Sequence, residues 1–260
     1  MFRLNSILVI FLFLAACAAP STTRMQYDAA ELNTEAALQR ELALKKDLSY
    51  KQRLHKVSYP ILSSANQFCT ENQINSPGAQ GTASGDYEGY WKKTAEKILG
   101  SNEFTITWVA KNGPAARSGL LVNDKVLAVN DIPYGNHQPQ HTKFYAETSR
   151  IQTSDSSVIN LKIRRDEQVF NLRINQEKIC GYPVVLQGSD AVNAYADGKR
   201  IIITKGMMRF ARDDQDLALV IAHELGHNLM GHIDKKQTNT MFGTLLDLAA
   251  AANGFDTQGI

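Results

Sequence analysis

The sequence predicts an α+β protein: a mainly helical domain with a small β-sheet, interrupted by a β-rich module. Three observations carry this. Residues 28–56 are rich in Ala, Leu, Glu, Lys, Gln and Arg and hold no Gly or Pro, the composition of a long helix. Between Phe104 and Ile174, β-branched and aromatic runs alternate with Gly, Pro, Asn and Asp turn signals. Residues 213–232 read as one apolar helix that carries two histidines and a carboxylate in its middle. The 260 residues, 43% hydrophobic and 21% charged, suffice for one or two domains with sizeable cores. A net charge of +2, with no long basic run, points away from nucleic acid, and no internal repeat is evident.

At the start of the chain Arg3 supplies a positive charge, and Leu4 to Leu14 is an almost continuous apolar run, too short to span a membrane. It closes on Leu14-Ala15-Ala16-Cys17, which resembles the bacterial lipoprotein signal, the lipobox. The resemblance implies a signal peptide over residues 1–17, lipidation of Cys17, and a chain anchored by lipid in the cell envelope. Ala18 is not the aspartate of inner-membrane retention, which implies the outer membrane, facing the periplasm, in a Gram-negative cell. A plain secretory signal cleaved nearby is the alternative. That compartment is oxidising, so Cys69 and Cys180 are a candidate disulfide, with two separate buried thiols as the other reading. A closed loop of about 110 residues would stabilise the fold by roughly 4–5 kcal/mol.

In order, Pro20 to Gln26 reads as a polar tether leading into the long helix, whose apolar side is Leu38, Leu42, Leu44, Leu48 and Leu54. Pro60 should interrupt the helix, with a second helical piece from Ile61 to Phe68. Residues 18–75 thus make up the tether and the N-terminal helices of the main domain. Ser76 to Gly89, with four glycines and Pro77, reads as a loop and domain boundary. A strand over Phe104 to Ala110 precedes a turn at Gly113-Pro114, a helical turn at Ala115-Ala116 and a stop at Gly119. A tight turn at Asn123-Asp124, a strand Lys125 to Val129 and a turn at Asn130-Asp131 follow. A helix near Thr142 to Ile151 and strands Val158 to Arg164 and Gln168 to Ile174 complete the module. The Gly113-Pro114-Ala115 element, Gly119-Leu120 and the Asn123-Asp124 turn resemble the bacterial PDZ domain, over residues 87–176. Ser118 and Asn123 depart from its usual alanine and glycine. The resemblance implies binding of an extended peptide, often a C-terminus, in a groove beside an added strand. An insertion used only for packing or gating is the alternative.

From Gly181 the main domain resumes. Val184 to Leu186 is a short strand, Ala191 to Thr204 a hairpin turning at Asp197-Gly198, and Lys205 to Arg212 a link. The helix follows, capped by Asp213 or Asp214, with Asp216 in its first turn and a stop at Gly231. Apolar nearly all round, it should be buried. Burying His223, Glu224 and His227 is costly unless they are paired or hold a metal. The two histidines stand one turn apart and can hold one zinc ion, while Glu224 can take a proton from water at the metal. This is the H-E-x-x-H arrangement of zinc metallopeptidases; a core helix with ordinarily satisfied histidines is the alternative. Together with Val192-Asn193-Ala194-Tyr195-Ala196 and Ile201-Ile202-Ile203, it resembles the HtpX, CAAX prenyl protease and Oma group. The resemblance implies a zincin-type metallopeptidase core over residues 181–260, His223 and His227 as zinc ligands and Glu224 as general base. It also implies Val192, Asn193, Ala194, Tyr195 and Ala196 as the substrate edge.

That group's third ligand is a later glutamate, and no glutamate follows Glu224. His232 lies about 140° round the helix from His227 and could join only if the helix breaks at Gly231. Asp234, Asp247 and Asp256 are possible donors that nothing in their context selects. The expectation is that the sequence is C-terminally incomplete. The sequence therefore points to a zinc-dependent metalloendopeptidase acting on misfolded or envelope proteins. The alternative is a catalytically impaired, PDZ-containing peptide-binding adaptor or chaperone-like lipoprotein.

Overall fold

The computed structural model describes residues 28–135, 137 and 139–230. The chain divides into two units, Met1–Leu38 and Gln39–Ile260. The expected signal segment, the tether and everything from Gly231 onward lie outside the described residues.

The first helix, α1, spans Ala29–Ser64. Asp28 caps it, accepting the Ala30 N–H at 3.1 Å. Its buried face is Leu44, Leu48, Leu54, Val57, Ser58, Ile61 and Leu62, a helical repeat of three and four. Two expectations change here. Leu38 and Leu42 are half-exposed and lie off this face. Pro60 does not end the helix, which runs on to Ser64 and closes in a 3-10 turn, Ala65–Phe68. A proline inside a helix removes one hydrogen bond and costs about 3 kcal/mol. Val57 and Ile61, fully buried on either side of it, each contribute about 1.5–3 kcal/mol and keep the helix continuous.

Two strands then bracket an inserted module. β1 (Gln73–Ser76) and β8 (Glu177–Cys180) pair antiparallel, with Gln73 opposite Cys180 and Ser76 opposite Glu177. The chain therefore enters and leaves the module side by side. Cys69 and Cys180 are disulfide-bonded at this root, with Cα atoms 5.4 Å apart.

The module contains β2 (Ala79–Ala83), α2 (Gly89–Leu99), β3 (Phe104–Val109), α3 (Pro114–Arg117), β4 (Lys125–Val129), β5 (Ile132–Pro133), α4 (Gln140–Thr153), β6 (Val158–Arg165) and β7 (Gln168–Asn175). Its sheet has the order β2-β3-β4-β6-β7, with β5 beside β4. The stretch expected as a loop is thus largely structured: β2 is an edge strand, followed by a 3-10 turn at Ser84–Asp86. Its glycines masked the signal. Gly81 sits where the strand register shifts and the Phe104 ring packs so close that a Cβ there would collide with it. The module core gathers Ile106, Leu120, Val126, Phe144, Ile163 and Ile174, all nearly inaccessible to solvent. Beneath it, buried Asp124 receives both Arg165 Nε and Nη2 at 2.7 Å and the Leu121 N–H at 2.8 Å.

Back in the main domain, β9 (Val184–Gln187), β10 (Ala194–Ala196) and β11 (Ile201–Thr204) form a three-stranded sheet in the order β10-β11-β9. β11 runs parallel to β9 and antiparallel to β10. All four β11 residues are buried, as befits the central strand. The expected link is mostly helix: α5, Lys205–Phe210, is capped by Thr204, whose Oγ1 accepts the Met207 N–H at 3.1 Å. The last described helix, α6, spans Asp214–Met230 and packs with α1 and β11 in one core that includes Leu54, Ile61, Ile203, Leu217, Ile221 and Leu225.

Candidate active site

The start of α6 is fixed by two aspartates with different tasks. Asp213 is the cap, its Oδ1 accepting the N–H groups of Gln215 and Asp216 at 2.9 Å each. Asp214 instead meets Arg53 Nε at 2.9 Å and Lys56 Nζ at 2.8 Å, both from α1. Burial raises the Asp214 carboxyl pKa, but the Lys56 and Arg53 hydrogen bonds outweigh this and leave it below its ordinary value. Arg53 also donates to the carbonyls of Met208 and Ala211 at 3.1 Å. One guanidinium thus ties α1, the end of α5 and the start of α6 together.

The expectation that α6 is buried all round is not met. Leu217, Ala218, Ile221, Ala222, Leu225 and Leu229 face the core, but Leu219, His223 and His227 are exposed and Glu224 half-exposed. Residues 219, 223 and 227 repeat at four, so they form one stripe down the open face. The cost of burying charge therefore says nothing about these histidines. Their mutual geometry does: the two Nε2 atoms point at each other, 3.0 Å apart. Two nitrogens on one tetrahedral zinc ion, each at about 2.0–2.1 Å, stand roughly 3.3 Å apart. The pair is within a small side-chain movement of that, so these residues fit zinc as two of its donors. Among the described residues no third His, Cys, Asp or Glu joins them. His232, Asp234, Asp247 and Asp256 lie outside the described residues.

The strand expected to receive substrate lies against α6. Val192 is 55% and Tyr195 38% exposed. Among the described residues, β10 pairs with β11 on one side only. Asn193 and Asp197 turn their backbones inward, as the bonds Thr204 N to Asn193 O and Asp197 N to Arg200 O show. By alternation, Ala194 and Ala196 direct their N–H and C=O groups to the free edge. Asn228, a residue that motif reading passes over, joins this hairpin to the helix: its Oδ1 accepts the Gly198 N–H at 2.8 Å and its Nδ2 donates to Arg200 O at 3.1 Å. An amide side chain directly after the second histidine was the signal the sequence offered.

In the module, the free edge of β2 and helix α4 form the walls of a cavity of about 470 Å³. Gln80, Phe104, Phe144, Thr148 and Ile151 line it, and it extends to Tyr59 of α1 and Tyr182 and Val184 of the main domain. Tyr145 Oη donates to Asp86 Oδ1 at 2.7 Å, linking the two walls. Burial first and this hydrogen bond second push the Tyr145 pKa well above the usual range.

An open sheet-edge groove, and an H-E-x-x-H helix beside a second free edge, are features that a peptidase bearing a PDZ domain would need. The comparisons are consistent with this. The PDZ domain model matches residues 105–165 and the peptidase family M48 model matches residues 164–260. The M48 likeness over that segment supports a protease. Among solved structures, the HtrA3 PDZ domain bound to a phage-derived ligand is 18% identical over 42% of this chain and 89% of that one, at a TM-score of 0.31. The PDZ domain of a carboxy-terminal protease from Vibrio cholerae, in complex with peptide, is 16% identical over 41% of this chain and 97% of that one, at 0.29. The photosystem II D1 C-terminal processing protease is 14% identical over 61% of this chain and 38% of that one, at 0.32. Likeness at this level carries no argument about function. No curated protein matches the chain.

Proposed function

We propose that this chain is a zinc-dependent metalloendopeptidase of the bacterial cell envelope that cleaves extended segments of misfolded or envelope proteins. The observation that carries the reading is the convergence of His223 and His227, Nε2 to Nε2 at 3.0 Å, on the helix that lies against the free edge of β10. These two residues would hold the metal. When bound, zinc supplies Lewis acidity, drawing charge from the scissile carbonyl oxygen and making water reactive near neutral pH. Glu224 has no hydrogen-bond or ion-pair partner among the described residues, so its carboxylate is free to accept the proton of the attacking water and return it to the departing amide nitrogen. Ala194 and Ala196 hold the substrate backbone as an added strand, which orients the scissile bond by main-chain contacts and leaves side-chain choice loose. The PDZ groove would take up a peptide, including a C-terminus, and lipid on Cys17 would keep the chain at the membrane, on the periplasmic side of a Gram-negative outer membrane.

Casein digestion by wild type and by Glu224→Gln, with and without chelator, tests the reading. Loss of about 10²–10⁴-fold in kcat in the variant, with zinc binding retained, is expected. Equal, chelator-insensitive activity would leave the peptide-binding adaptor as the better account.

A further inference from the structure

Asn228 is the one buried polar side chain on the described helix α6, 3% exposed, and it directly follows His227. Both ends of its carboxamide are engaged by the Asp197–Arg200 turn, Oδ1 by the Gly198 N–H at 2.8 Å and Nδ2 by the Arg200 carbonyl at 3.1 Å. One donor and one acceptor on the same turn settle which end of the amide is oxygen. The turn is already shaped to receive it. Asp197 Oδ1 accepts the N–H groups of Lys199 at 3.0 Å and Arg200 at 2.8 Å, and Gly198 adopts φ +83°, which a side chain would resist. At the other end of the strand, Thr204 Oγ1 donates to the carbonyls of Ala191 or Asn193 and accepts the Asn193 N–H at 3.1 Å. β10 is therefore held at both ends, once to its own sheet and once to the metal helix.

We infer that Asn228 is a positioning residue of the candidate active site, fixing the register of the substrate edge at Ala194 and Ala196 against His223, Glu224 and His227. This rests on the metallopeptidase reading above. An extended chain advances about 3.3 Å per residue, so a small slide of β10 along α6 moves a bound peptide bond by much of a residue. Reaction geometry tolerates far less, a misplacement of about 1 Å costing on the order of 10²-fold. A clamp seated on the helix that carries the base removes that freedom. It does so without touching substrate, which is why it is a positioning residue.

The test uses the full chain with Asn228→Ala, with Asn228→Asp, which keeps the acceptor for Gly198 and loses the donor, and with Lys199→Ala as a control on the same turn. Amide hydrogen exchange over residues 194–203 should rise at least tenfold in Asn228→Ala and less in Asn228→Asp, with residues 214–226 still protected. On fluorogenic peptides, KM for a substrate long enough to pair with β10 should rise at least tenfold. A substrate too short to reach the strand should be cleaved as by wild type, and Lys199→Ala should behave as wild type throughout. Unchanged exchange in the hairpin would overturn the inference, as would equal losses on long and short substrates, which a merely structural role would give. If wild type cleaves neither peptide, the metallopeptidase reading falls and the positioning role falls with it. The exchange result then shows separately whether the clamp exists.

Discussion

His223 and His227 show how little a residue's own burial says about its task. Both are exposed, and their meaning lies in two nitrogens 3.0 Å apart on successive turns. His55 is the contrasting case. It lies against the Trp108 ring, centroids 5.7 Å apart, and burial first, with Lys51 second, pushes its pKa down to about 4. A histidine with a depressed folded-state pKa takes its proton more readily when unfolded. Its contribution to stability is therefore complete above about pH 6.5 and is lost as pH falls toward 4. Lowering the pH from 7.5 to 5 should cost about 1–2 kcal/mol through this partly exposed group, and His55→Gln should flatten that part of the profile in urea titrations. Asp124 carries a different risk. It is 1% exposed and held by Arg165 on both oxygens. Arg165→Ala leaves that carboxylate buried with a single N–H, and thermal unfolding of the PDZ module should show a loss of about 3 kcal/mol.

Elements here are set by their ends and by what they pack against. Without the Asp213 side chain, α6 loses the acceptor for two N–H groups, and Asp213→Ala should cost about 1 kcal/mol, seen as faster exchange in the first turn of the helix. Arg53→Lys should cost more than its charge-conserving label suggests, about 2 kcal/mol, because an ammonium cannot bridge Asp214 and the carbonyls of Met208 and Ala211 together. On β10, Ala194→Pro removes one outward N–H and spares the inward ladder. Chemical denaturation should be little changed, while KM for extended peptides should rise about tenfold, the worth of one hydrogen bond. Several of these elements were legible in advance. Strands β3, β4, β6 and β7, the turns at Gly119 and Asn123, and helix α4 follow from periodicity and turn residues that act over a few positions. β2, β1, β8 and α5 were not legible. β2 is interrupted by glycine, and β1 with β8 exists only because residues a hundred positions apart meet.

At the scale of the molecule, the inserted PDZ domain is joined to the main domain by the β1–β8 ribbon, α1 and the Cys69–Cys180 bond. Gln52 of α1 donates to the Thr107 carbonyl of β3 at 2.8 Å, and Tyr59 donates to Glu177 at 2.6 Å, so the same helix that braces α6 also braces the module. The bridge closes a loop with a sequence separation of 111 that holds the whole module. Replacing both cysteines by alanine should lower stability by about 2–4 kcal/mol in guanidinium titrations, by releasing denatured-chain entropy. The α6 stretch should remain protected from exchange in that variant, since its core contacts are with α1 and β11.

What the sequence determined by itself is local. The H-E-x-x-H spacing sets two imidazoles one turn apart whatever surrounds them, and the PDZ turns declare themselves through Gly, Pro and Asn at positions where few other residues serve. What only the tertiary structure decided is long-range. It opened one stripe of α6 to solvent although the helix is apolar nearly all round, kept α1 continuous through Pro60, and brought the turn at Gly198 onto Asn228. The physical reason is the same in each case. Burial and hydrogen bonding between distant segments are worth as much as local preference, and no window along the chain contains both partners.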